Sequence, residues 1–211
     1  MRIGILSESK VDETAYKILV EGILDKPVEI IKSYRKRGGG WIAAKNQVIP
    51  IIRDLHRTDA DGFVFVADSD STLPHNSAHE DQSDGNPDCR LCQIKKLVEN
   101  ILGTLPARAG RAPLKVAIGM ATPAIEAWLL SGIERNCTEA WFREEQSKGR
   151  LSGQARRDLK IKKYGSLQAS ANIRMLRTLE NANRIAEDLD ALEQRFQFGF
   201  GHLRKSLAEW L

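Results

Sequence analysis

Gly62-Phe63-Val64-Phe65-Val66-Ala67-Asp68-Ser69-Asp70 is the stretch whose reading decides the fold. Gly62–Ala67 is a continuous β-branched and aromatic run without polar alternation, as expected of a strand covered on both faces. Acid arrives at its carboxyl end. Upstream, Arg2–Ser7 reads as a second short buried strand, and it too ends in acid, at Glu8. Between them, Asp12 can cap a helix running to about Leu24, with Ala15, Ile18, Leu19, Gly22 and Ile23 at helical spacing. A strand at Val28–Ser33, the basic turn Arg35-Lys36-Arg37 with three glycines, and a helix from Trp41 to Arg57 follow. Pro50 must kink or split that helix. Downstream come a polar loop, Ser71–Asp88, a helix at Arg90–Leu102, a strand at Leu114–Gly119, and a helix with Pro123 in its first turn. Strands alternating with helices predict an α/β fold: an open, mainly parallel sheet with flanking helices.

After Gly132 the strand signals stop. Helices are expected at Ala155–Lys163 and Ala171–Leu192, and the aromatic tail Phe196–Leu211 is expected to pack back on the core. The expected division is an α/β core over 1–132, with 71–92 as an insertion, and a basic helical C-terminal extension over 133–211 packed on that core. With 211 residues, 42% of them hydrophobic, the chain can bury a sizeable core, which excludes wholesale disorder. It has no apolar run of the ~18–20 residues a membrane span needs and no secretory leader pattern. Three cysteines do not form a secreted disulfide framework, so a cytoplasmic protein is expected. The net charge of +4 hides an asymmetry: residues 1–105 carry 14 Lys/Arg against 16 Asp/Glu, and residues 106–211 carry 18 against 12. A basic half beside an acidic one points to a polyanionic partner.

In an open parallel sheet, functional groups collect at the carboxyl ends of strands. Glu8, Asp68 and Asp70 converge on that edge, and at period two Asp68 and Asp70 face the same side if the strand persists. Three carboxylates repel one another unless a hard cation neutralises them, and Mg²⁺ takes oxygen ligands while keeping waters for chemistry. Asp after a strand equally serves to cap a loop. No Cys–His or Ser–His dyad is visible, so metal-assisted hydrolysis is the simpler chemistry.

Glu8-Ser9-Lys10-Val11-Asp12-Glu13 resembles the first motif of TOPRIM domains, in which a strand-end Glu is usually followed by Gly and then by Asp-Glu at a helix start. Phe65-Val66-Ala67-Asp68-Ser69-Asp70 resembles their DxD motif. Pro123-Ala124-Ile125-Glu126-Ala127-Trp128-Leu129-Leu130, the basic-Tyr stretch Lys162-Lys163-Tyr164 and the tail Phe196–Leu203 extend the resemblance over most of the chain. It is to a bacterial domain-of-unknown-function family with a TOPRIM-like core, related to the nuclease domain of overcoming-lysogenisation-defect (OLD) proteins. Ser9 departs from the pattern, standing where the family usually has Gly; a φ below zero would accommodate it. The resemblance implies a TOPRIM-like sheet and a nuclease using Mg²⁺ (or Mn²⁺) to hydrolyse phosphodiester bonds. Glu8, Asp68, Asp70 and Glu126 would hold the metal, and Lys163 would stabilise charge on the scissile phosphate. It also implies nucleic acid as partner, DNA ahead of RNA, and an ATPase partner protein in phage defence. The alternatives are a non-catalytic nucleic-acid-binding or sensor subunit of an ATPase complex, and a primase-like phosphoryl-transfer enzyme. From its place one turn into an apolar helix, Glu126 reads equally as a carboxylate favoured by the helix dipole.

The insertion holds His75, His79, Cys89 and Cys92 within eighteen residues. HxxxH and CxxC together make a Cys2His2 set with tetrahedral capacity for structural Zn²⁺, in a loop too polar for a core of its own. The competing reading is an unliganded polar loop with Cys92 simply buried. Two basic groups complete the candidates for nucleic-acid contact. Arg35, Lys36 and Arg37 precede a glycine-rich turn that matches neither a Walker loop nor GxGxxG. Arg156, Arg157, Lys160, Lys162 and Lys163 either contact a phosphate backbone or form a solvated helix face.

Overall fold

The computed structural model describes residues 1–35, 40–70, 72, 74–80, 85–150 and 153–211. Four strands, β1 (Arg2–Ser7), β2 (Glu29–Arg35), β3 (Gly62–Asp68) and β4 (Lys115–Ala121), form one open sheet in the order β2-β1-β3-β4. Every pairing is parallel. The chain passes from β1 to its neighbour on one side and returns with β3 on the other. The strand order therefore reverses between β1 and β3, and a crevice opens at their carboxyl ends, where Glu8 and Asp68 lie.

The pleat of β3 sorts its residues between two apolar layers. Phe63 and Phe65 face α2 (Gly40–His56), whose Val48, Ile51, Ile52 and Leu55 are buried, and α4 (Arg90–Thr104), which contributes Leu91, Ile94 and Val98. Val64 and Val66 face the opposite layer with Ile3 and Ile5 of β1. That layer contains α1 (Lys10–Leu24), α5 (Ile125–Leu129), α8 (Ala171–Ala186) and α10 (Phe200–Ala208). Trp128 is wholly buried there, edge-on to Phe200 at 5.4 Å and to Phe196 at 6.5 Å. Trp210 lies over Gly62 so closely that a Cβ at Gly62 would come within 2.5 Å of the indole. Residues 133–211 thus complete the covering of one sheet face. The short α3 (Ser77–Glu80), α6 (Glu139–Ser147), α7 (Gly153–Tyr164) and α9 (Leu189–Arg195) make up the other described helices. Among the described residues no helix is long and apolar enough to cross a membrane.

Several local expectations change. Ser9, not Asp12, caps α1: its hydroxyl accepts from the Asp12 amide at 3.2 Å, which frees Asp12 to face the crevice. Pro50 sits inside an unbroken α2, with buried apolar residues on both sides of it holding the helix to the sheet. Pro123 precedes its helix, joined to Thr122 by a cis peptide, and α5 begins at Ile125. The long helix expected over Ala171–Leu192 is two, because Asp188 accepts from the Ala191 amide at 2.9 Å and starts α9. Helix α6 was not anticipated, although Thr138 supplies its cap by accepting from the Trp141 amide.

Candidate metal centres

Asp68 ends β3 and is almost fully enclosed. Its Oδ1 accepts from the Ile125 amide at 3.1 Å, and its Oδ2 from Arg156 Nη2 at 2.7 Å. The chain then leaves the strand, held to the exit of β4 by Ser69 N to Ala121 O (2.8 Å) and Asp70 N to Pro123 O (2.9 Å). Asp70 has φ +52°, a left-handed conformation uncommon for a residue with a side chain. Asp68 and Asp70 therefore do not share a side through the pleat, contrary to the expectation from period two. They meet because one guanidinium spans them: Arg156 donates to both Asp68 Oδ2 and Asp70 Oδ1. Arg90 adds bonds to the Asp68 carbonyl oxygen at 2.6 Å and to Asp70 Oδ2 at 2.8 Å.

Around this pair stand groups from three further segments. Glu8 is exposed just past β1. Ser9 has φ −148°, so a side chain at this position causes no backbone strain. Asp12 accepts from the Ser9 hydroxyl at 2.8 Å, and Glu126 is buried in the first turn of α5. Lys163, near the end of α7, is 2% exposed; its Nζ lies over the Tyr164 ring at 4.6 Å and has no hydrogen-bond partner among the described residues.

Burial and like charge act together on the acids. Desolvation, then Glu126, then Glu8 and Asp12, push Asp68 well above the carboxylate range, against the opposing pull of Arg156. Burial raises Asp12 to about 6, with Glu126 and Glu8 adding to the rise while the Ser9 hydroxyl and Lys163 oppose it. Burial lowers Lys163 to about 8, although Glu126, Asp12 and Asp68 favour its ammonium form. The crevice is thus a set of mutually repelling carboxylates relieved only in part by two arginines and a lysine.

The fold brings Asp68 and Asp70 together and sets Glu8 and Glu126 close enough for their charges to be felt at Asp68. Their oxygens are not drawn into a tight cage. Among the described residues, only His75, His79, Cys89 and Cys92 have three or more ligand atoms already gathered as closely as a metal ion requires, all within 4.8 Å of one another. Asp12, Arg90 and Arg156 are members of the crevice that sequence reasoning placed elsewhere or passed over. Asp12 was legible from the Asp-Glu at the helix start, whereas the arginines carried no local signal.

The basic stretch is not one surface. Arg156 is committed to Asp68 and Asp70, Lys163 is buried behind them, and Lys162 pairs with Glu134 at 2.5 Å. Arg157 is exposed and Lys160 half-buried. The five therefore do not form one solvated face: Lys163 is a buried ammonium and the Arg156 guanidinium is bonded to two carboxylates, whereas Arg157 is exposed. Lys36 and Arg37 lie outside the described residues, as does the side chain of Arg35.

In the His/Cys cluster the four ligand atoms lie within 4.8 Å of one another, and all four residues are buried. Cys89 Sγ and Cys92 Sγ each approach His75 Nδ1 to 3.5 Å. Cys89 directly precedes α4 and Cys92 lies in its first turn, so the CxxC spacing closes over the helix start. Gly85, at φ +64°, lets the loop pass over Cys92, where a Cβ would come within 2.9 Å of the Cys92 Cβ. Burial raises the Cys89 thiol to about 12 and lowers His79, so both disfavour their charged forms without a cation. His79 Nδ1 is buried without a hydrogen-bond partner among the described residues. The cluster can bind a metal.

These features define an α/β protein with an acidic crevice at the reversal of its strand order and a closed soft-ligand cluster beside it. Compared with protein-family models, curated proteins and solved structures, the chain matches none.

Proposed function

We propose that the protein is a metal-dependent nuclease, cleaving phosphodiester bonds at the crevice between β1 and β3. The observation that carries the reading is Asp68: a carboxylate buried at the strand-order reversal, facing the charges of Glu126, Glu8 and Asp12. An all-oxygen set with surplus negative charge fits a hard cation. Mg²⁺ or Mn²⁺, held by Glu8, Asp68, Asp70 and Glu126, would polarise the phosphate and lower the pKa of the attacking water. The chain's own groups divide the remaining work. Glu8, exposed at the solvent side, would accept a proton from water. Arg156 carries a planar donor fork suited to phosphate oxygens, and Lys163 retains an ammonium beneath the acids at neutral pH. DNA as substrate, an ATPase partner and a place in phage defence rest on the family resemblance.

We assign the His/Cys cluster to structural Zn²⁺. Zn–S near 2.3 Å and Zn–N near 2.05 Å at tetrahedral angles place S and N about 3.5 Å apart, matching both Sγ–Nδ1 separations. The Asn76 and Asn86 amides sit 3.4 and 3.5 Å from His79 Nε2. If the Asn76 amide turns its oxygen, unpartnered among the described residues, toward Nε2–H, Nδ1 keeps its lone pair for the metal. Four protein ligands leave no open position, so this ion would order the loop without activating water.

One observation favours a second reading: Arg156 and Arg90 already occupy Asp68 and Asp70, which would suit a sensor subunit that binds nucleic acid without cutting it. Incubation of plasmid, linear and single-stranded DNA, and of RNA, with Mg²⁺ or Mn²⁺ separates the two. Cleavage that EDTA abolishes supports the nuclease, and binding without cleavage supports the sensor. Product formed only with nucleoside triphosphates supports a primase-like enzyme.

A further inference from the structure

Arg90 lies between the two thiols of the His/Cys cluster in sequence and is bonded to the acidic crevice in space. Cys89 and Cys92 flank it in the first turn of α4. Its guanidinium donates to the carbonyl oxygen of Asp68 and to the carboxylate of Asp70, and it stacks on Trp41 at 5.1 Å. The side chain is only 12% exposed, so these contacts define its position. Asp70, in turn, has a left-handed backbone that persists only when its surroundings hold it. A one-turn path therefore joins the two clusters, from the thiols through the backbone of α4 to Arg90 and then to Asp68 and Asp70.

We infer that Arg90 is a positioning residue that couples cation occupancy of the His/Cys cluster to the geometry of the acidic pair. The inference deepens the reading above and rests on its assignment of metals to the two clusters. A cation on Cys89 and Cys92 fixes the start of α4, and Arg90 then holds Asp70 in its left-handed conformation. Without that cation the turn is free to shift, and the Arg90–Asp70 bond is lost with it. Coupling between sites is reciprocal. If the cation favours the Arg90–Asp70 bond, removing that bond weakens the cation's hold, although neither residue is among the four ligands.

The test is a double-mutant cycle on Zn²⁺ affinity, measured on the full chain by competition with a chromogenic chelator. Co²⁺ substitution confirms thiolate ligation through its charge-transfer band. Asp70→Asn and Arg90→Met are each expected to weaken Zn²⁺ binding by about fivefold or more, the lower end of ordinary coupling. The double variant should be no weaker than the worse single one. Arg90→Lys keeps the charge but not the two-pronged contact, and should fall between Arg90→Met and wild type. Should Arg90→Met fail to fold, Asp70→Asn against Arg90→Lys completes the same cycle. Affinities within twofold of wild type, losses that multiply in the double variant, or a wild-type chain that takes up no Zn²⁺ would each overturn the coupling. The cycle needs no cleavage assay. A chain that shows the coupling but cuts no nucleic acid retires the nuclease and keeps the inference; one that cuts nucleic acid but lacks the coupling does the reverse.

Discussion

The two clusters of ligand-type side chains stand one turn of α4 apart, yet they are built in opposite ways. His75, His79, Cys89 and Cys92 come from eighteen consecutive residues, are all buried, and have their ligand atoms within 4.8 Å of one another. Glu8, Asp68, Asp70 and Glu126 come from three separate strand exits; Arg156 bridges Asp68 and Asp70, while burial and the charges of Glu126 and Glu8 disfavour the ionised form of Asp68. The first is closed, and its ligands suit a soft ion that stays; the second faces solvent through Glu8, and its ligands suit a hard ion that exchanges. A local cluster can be preassembled by a short loop, whereas a cluster of like charges depends on the whole fold to hold it.

The largest effect expected from breaking this contrast is on the loop. Cys89→Ser should remove bound zinc and make the segment between Ser71 and Cys92 protease-sensitive while the α/β core keeps its circular dichroism, because the loop has no apolar core to fall back on. Next is Asp68→Asn, which should lower Mg²⁺-dependent cleavage by about a hundredfold or more, beyond the loss typical of groups that only support a ligand. In metal-free buffer the same variant should be at least as stable as wild type at pH 7. The pKa of Asp68 is raised in the folded state, so its contribution to stability is present below its ordinary pKa and lost as pH rises.

Glu139 sharpens the comparison as a buried carboxylate outside both clusters, accepting from the Phe198 amide at 2.8 Å. Burial raises it to about 7 from 4.5. Its stabilising contribution is therefore full below pH 4.5 and lost as pH rises through 7, and Glu139→Gln should flatten that window in thermal melts. Mg²⁺ should leave the Glu139 window unchanged, but it should reverse the corresponding loss from Asp12 between 3.8 and about 6. The smallest effect is at the surface. Neutralising Arg157 and Lys160 should each flatten the log–log salt dependence of nucleic-acid binding by about one unit, and neutralising Lys162, paired with Glu134, should do less.

What could be read in advance follows the same division. The strand expected at Gly62–Ala67, the parallel sheet and the His/Cys set were legible because each is written in short local stretches of sequence. The acidic pair was legible as a motif, but its geometry was not. Period two placed Asp68 and Asp70 side by side for the wrong reason, since the left-handed turn at Asp70 and the reach of Arg156 across 86 residues decide it. Arg156 and Lys163 read as part of one basic stretch for phosphate contact, Lys163 also as a charge stabiliser by resemblance, because a run of basic residues gives no hint of which of them turn inward. Arg90 was hidden between two cysteines, where attention falls on the sulfurs. Ser9 and Asp12 were each one step from correct: the cap belongs to Ser9, and Asp12 belongs to the crevice.

The most direct test of the account is metal content, by elemental analysis and Mn²⁺ electron paramagnetic resonance, on wild type, Cys89→Ser and Asp68→Asn purified without a metal-affinity tag. Wild type should carry about one zinc per chain, as four protein ligands require, and should bind Mn²⁺ in addition. Cys89→Ser should lose the zinc, and Asp68→Asn should lose the Mn²⁺ while retaining zinc. Zinc absent from wild type, or Mn²⁺ bound as well by Asp68→Asn as by wild type, would contradict the assignment of a soft ion to one cluster and a hard ion to the other.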